Sequence, residues 1–204
     1  MNEVILRKSI AVIGEPMMKN HSIAAVAILA ALAIWAAPAA YAAATCQLSF
    51  SDGTVDLGQV SVSRRAALRS DQSGPKIGSS NRTLSVTCNT STAMVLGFHA
   101  AAVGGDAMDL GHGGNYTLHI LRARLDGQPI RIGRAGNATQ LPTEIADQLQ
   151  LRASDSIAAV SEQKIASGTR LELDLRIDAF MRKDAVLSHE IQLEGESRFD
   201  LTTN

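Results

Sequence analysis

The stretch Leu171-Glu-Leu-Asp-Leu-Arg-Ile-Asp-Ala179, LELDLRIDA, decides the fold. In an extended chain Leu171, Leu173, Leu175, Ile177 and Ala179 share one face, and Glu172, Asp174, Arg176 and Asp178 share the other. Wound as a helix, the same apolar side chains would scatter around the cylinder. The stretch therefore reads as a strand lying half-buried on a core.

The same period of two recurs outward from it. Toward the C-terminus, Ile191, Leu193, Gly195, Ser197, Phe199 and Leu201 alternate with polar residues. Arg182-Lys183-Asp184 forms a turn between these two segments, which are expected to pair antiparallel. Upstream, Leu84, Val86 and Cys88 alternate with Ser85 and Thr87, and Met94, Leu96 and Phe98 follow the polar corner Asn89-Thr90-Ser91-Thr92. Tyr116, Leu118 and Ile120 continue the pattern, and its phase slips at Leu121, as it does in a bulge or a strand buried on both faces. Asp126-Gly127 is a tight-turn signal before Ile130 and Ile132. Residues 141–165 depart from the alternation; there Thr143 caps an expected short helix through Leu149. About seven strands in one domain of this size point to a β-sandwich of immunoglobulin-like character.

A second feature places the chain. From Ser22 to Trp35 it reads SIAAVAILAALAIW, too short to be a membrane span, with Lys19 before it and Ala40-Tyr41-Ala42 after it. This is the pattern of a secretory signal: residues 1–42 are expected to be removed, with translation starting at Met17 or Met18, and residues 43–204 to form a single exported domain. The removed segment takes three of the nineteen basic residues and two of the twenty acidic ones, leaving a nearly neutral domain of about 160 residues. No basic stripe argues for nucleic acid. In an oxidising compartment the only two cysteines, Cys46 and Cys88, become a candidate disulfide. Each lies on the apolar face of its segment, CQLSF and LSVTC, so a bridge is geometrically reasonable if the two strands are neighbours.

Taken together, CQLSFSDGTVDLGQV, LSVTC and an alternating C-terminus ending in RFDLTTN resemble pilus subunits of the bacterial chaperone-usher pathway. The likeness is to the divergent fimbrial-like branch related to the DUF1120 proteins. The resemblance implies an immunoglobulin-like pilin sandwich that lacks its last strand. A periplasmic chaperone and then another fimbrial subunit would fill the gap by donating a strand, with assembly at an outer-membrane usher and a final place in the surface fimbrium. By matching position, the acceptor groove would be lined by Leu48 and Phe50 near the first cysteine and by Leu193, Phe199 and Leu201 near the end. Four or five inserted apolar side chains would contribute about 10 kcal/mol, comparable with the stability of a whole domain. Only Ala43, Ala44 and Thr45 would precede Cys46 after cleavage, which points to a terminal, tip-associated or accessory subunit rather than a strand-donating rod pilin.

Catalytic and cofactor chemistry find little to build on. His99, His112, His119 and His189 are dispersed without metal-binding spacing, and Ser188-His189-Glu190 cannot form a triad because strand neighbours face opposite ways. No enzyme, cofactor or metal is expected. The loop GGDAMDLGHGGN carries Asp106, Asp109 and His112, residues that suit calcium or a sugar, although its glycines suit tight turns equally well. The alternative function is thus a self-sufficient secreted sandwich that binds carbohydrate or another small ligand. The only tryptophan, Trp35, falls in the signal, which leaves no tryptophan platform for sugar stacking.

Overall fold

The computed structural model describes residues 44–51, 70–71, 74–137, 139–183, 185 and 193–203, all within the unit Ala43–Asn204. The expected signal segment and cleavage site, Ser188-His189-Glu190 and Ile191 lie outside the described residues. No helix occurs among the described residues, and the fold is all-β and antiparallel. The strands are β1 (Cys46–Phe50), β2 (Ser70–Asp71), β3 (Gly74–Ala100), β4 (Ala102–Gly104), β5 (Ala107–Asp109), β6 (Gly114–Leu125) and β7 (Gln128–Arg134). They continue with β8 (Thr143–Ala146), β9 (Leu149–Leu151), β10 (Ser156–Ser161), β11 (Lys164–Ile165), β12 (Ser167–Met181) and β13 (Ser197–Thr203).

One strand organises the rest. The two runs on either side of the polar corner join into the single 27-residue β3. Its first half lies between β1 and β12, and its second half between β13 and β10. The corner itself is irregular: β12 pairs Gly168 with Thr92 and then Arg170 with Thr87, so several β3 residues lie outside the ladder. Leu84, Val86, Leu96 and Phe98, from both halves, are fully buried in one core with Leu171, Leu173 and Leu175 of β12 and Leu118 and Ile120 of β6. From β3 the pairing runs through β12, β6, β7 and β10 and back to β3, so these five strands form a closed circuit.

Local signals place several of these elements. Asp126 and Gly127 both have positive φ, 50° and 81°, as a two-residue hairpin between Leu125 and Gln128 requires. The Asp126 carboxylate also accepts the amides of Thr169 and Arg170 and the Thr169 hydroxyl, tying this hairpin to the start of β12. Against β12 the register of β6 passes from Arg122 to Ile120, leaving Leu121 outside the ladder, so the phase slip in the sequence is a bulge.

Two expectations are corrected. Thr143–Ala146 and Leu149–Leu151 are strands, not a helix: β8 pairs with β7 and β9 with β6, and these ladders override a weak local capping signal. The C-terminal segment does not pair with β12, because β3 and β6 already occupy both edges of that strand. It pairs with the second half of β3 instead, and its strand begins only at Ser197.

Cys46 and Cys88 are register partners on β1 and β3 and form a disulfide spanning 42 positions. On the outer face, buried Asp178 accepts hydrogen bonds from Lys76 Nζ at 2.7 Å, Arg176 Nε at 3.0 Å and the Ser79 hydroxyl. Burial pushes this carboxyl up, but the hydrogen bonds from Lys76 and Ser79 and the charge of Arg176 outweigh it and hold it below the usual range.

Opening the bridge with Cys46→Ser and Cys88→Ser should lower unfolding free energy by about 4 kcal/mol in the chain-entropy model, read from urea midpoints. Asp178 binds its proton less readily in the folded state, so its contribution is complete above the unfolded carboxylate range and lost as pH falls through its depressed folded pKa. Plotted against pH, the stability of Asp178→Asn should therefore fall less steeply on the acid side than that of the native chain.

Candidate functional site

Among the described residues, the lightly covered side is the edge of β3 away from β12 and β10. Two short strands cover it, β1 beside the first half and β13 beside the second, and each pairs with β3 alone among the described residues. Alternation aims their apolar side chains inward. Leu48 and Phe50 stand opposite Val86 and Leu84, and Phe199 and Leu201 stand opposite Phe98 and Leu96. The four β3 partners have no exposure, whereas all four edge residues are only half-buried. Leu193 is half-buried in the connection before β13, close enough to Gly114 that an added Cβ there would lie 3.0 Å from it. The structure thus sets all five candidate groove residues against one core, two from each sheet edge and one from the approach to β13.

The attachment of β13 is specific. The Phe199 and Phe98 rings are tilted at 42° with centroids 5.1 Å apart, a favourable aromatic arrangement. On the outward face Asp200 reaches His99, Oδ1 to Nε2 at 2.7 Å, by lying across Gly97. A Cβ at position 97 would come within 2.9 Å of that carboxylate, so glycine leaves room for this contact.

The glycine-rich loop uses its carboxylates structurally. It folds into the reversals between β4, β5 and β6. Asp106 pairs with Arg152 Nε at 2.9 Å, and Asp109 accepts the Gly111 amide at 3.2 Å. Among the described residues no group of three His, Cys, Asp or Glu side chains could hold a metal. His119 is half-buried beside the Thr117 hydroxyl at 3.0 Å; burial, then the charge of Arg176, pushes its pKa down.

Sequence reasoning missed Arg134, the cation at the end of β7 on which three other segments converge. Its Nε lies 2.6 Å from Glu144, one Nη donates to the Gln150 carbonyl at 2.8 Å, and the other pairs with Asp155. These contacts hold β8, β9 and the entry to β10 against the end of β7, and they explain a strand where the sequence suggested a helix. Alternation alone offers no signal for them, since the partners come from three separate segments.

The chain matches no protein-family model and no curated protein sequence.

The unequal burial across the edge has a measurable consequence. Phe98→Ala should cost about 3–5 kcal/mol, as for a core aromatic, whereas Phe199→Ala should cost less than about 2 kcal/mol in the isolated protein. Denaturant titration of the two variants distinguishes an open seam from a closed core.

Proposed function

We propose that this chain is an assembly subunit of a bacterial surface fimbria, whose immunoglobulin-like sandwich is completed by a strand from another protein. The observation that carries the reading is the half-burial of Leu48 and Phe50 on β1 and of Leu193, Phe199 and Leu201 on and before β13, two strands that each have one paired edge among the described residues. An unpaired strand edge beside half-buried apolar side chains invites β-augmentation: backbone hydrogen bonds supply affinity, and alternate inserted side chains supply specificity. The order of the two cysteines and the alternating C-terminus, which resembles pilus subunits, supports the same reading.

In this account the exported chain meets a periplasmic chaperone first, which lends a strand along β13. At the outer-membrane usher another subunit's segment replaces it, and the domain becomes part of the fimbrium. The Cys46–Cys88 bridge keeps β1 fixed to β3 while the seam is uncovered. The function is structural and requires no cofactor.

Expressed in the periplasm alone, the protein should be poorly soluble and readily proteolysed. Co-expressed with its cognate chaperone it should purify as a one-to-one complex, and Leu201→Arg should abolish that complex while leaving the disulfide formed. A stable monomer that excludes the chaperone and protects the β13 amides from exchange would refute the proposal.

A further inference from the structure

The outer face of the sheet formed by the first half of β3, β12 and β6 is a ladder of ion pairs. Glu172 lies between Arg124 and Arg170, Asp174 between Arg122 and Arg124, and Asp178 between Lys76 and Arg176. Five cations thus share three carboxylates, a local surplus of positive charge on a chain whose formal net charge is −1.

The two signs are not equally presented to solvent. Side-chain exposure is 65% for Arg122, 58% for Arg170, 44% for Arg176, 42% for Lys76 and 30% for the doubly paired Arg124, against 25% for Asp174, 20% for Glu172 and 7% for Asp178. The carboxylates and Arg124 lie down on the sheet, and Arg122, Arg170, Arg176 and Lys76 are the more exposed groups beside them. Along β12, Arg170 and Arg176 are about 20 Å apart at the rise of an extended strand, so the positive groups form a stripe rather than a point. Beside the stripe, the outward positions of β3 are Ser79, Asn81, Thr83, Ser85 and Thr87, all small hydrogen-bonding side chains at two-residue spacing.

We infer that this face binds a linear acidic polysaccharide. Guanidinium groups pair with carboxylate or sulfate through parallel hydrogen bonds, and the adjoining hydroxyl and amide row suits sugar hydroxyls. Sheet faces that bind single-stranded nucleic acid stack bases on exposed aromatic side chains; among the described outward residues here the rings are Phe180, which is buried, and His119, which is half-buried beside Arg176, so neither offers an open stacking platform. The site lies on the opposite side of the sheet from the core, so it is separate from the β13 seam and does not depend on the fimbrial reading.

The test is equilibrium binding of the full chain to fluorescently labelled heparin, used as a model acidic polysaccharide, across a salt series. In Arg122→Gln/Arg170→Gln/Arg176→Gln every carboxylate keeps one cation, through Arg124 or Lys76, so the sheet is expected to hold. This variant should bind at least about tenfold more weakly at low salt and show a flatter salt dependence. Glu172→Gln/Asp174→Asn releases the paired cations and should bind more tightly, a gain that misfolding would not produce. Equal affinity in the triple variant, no gain in the double variant, or equal binding to an oligonucleotide or to anionic phospholipid vesicles of matched charge would overturn the inference.

Discussion

Every part of this structure depends on how the two edges of β3 are filled. A 27-residue strand that passes from one sheet into the other carries backbone donors and acceptors along both sides, and a buried backbone group must find a partner. On one side the long β12 and the shorter β10 satisfy it, within a closed circuit of five strands. On the other side the partners are β1 and β13, short segments that end the pairing among the described residues. The core is therefore dense toward β12 and thin toward the lightly covered side. Leu84, Val86, Leu96 and Phe98 are sealed, yet the residues laid beside them are not.

This asymmetry gives the molecule two unlike surfaces. At the lightly covered side the free energy still available is apolar area and backbone hydrogen bonding, which a strand can supply and a small molecule cannot. On the outer face of β12 the chemistry is electrostatic, weak per contact and sensitive to salt, because exposed ion pairs contribute little to folding. An ion ladder of that kind is better understood as a surface for a partner than as a source of stability. The exception is Asp178, whose burial makes its three hydrogen-bond donors a structural requirement.

Much of this was legible in the residues, where one face of a segment is buried. LELDLRIDA announces β12 and its two faces, Asp126-Gly127 the hairpin, and the slip at Leu121 the bulge. The cysteines could be placed facing inward because each shares its parity with neighbouring apolar residues, and they do pair. What the sequence did not reveal is which strand pairs with which. The turn after Met181 suggested a hairpin, but both edges of β12 were already occupied, a fact that depends on residues far away in the chain. The Thr143 segment misled for the same reason: a local cap signal is worth about 1 kcal/mol, less than the ladder with β7 and the Glu144–Arg134 pair that hold the segment extended. Of the candidate seam, alternation marked the apolar faces, the five residues were singled out only by the resemblance to pilus subunits, and their incomplete burial was not readable at all.

The decisive measurement is an experimental structure of the protein isolated from its native source. In that structure the outer edge of β13, from Ser197 to Thr203, is expected to be hydrogen-bonded to a strand of a different polypeptide whose alternate side chains cover Phe199 and Leu201. Finding a segment of the same chain on that edge in a monomer, with those side chains fully enclosed, would contradict it.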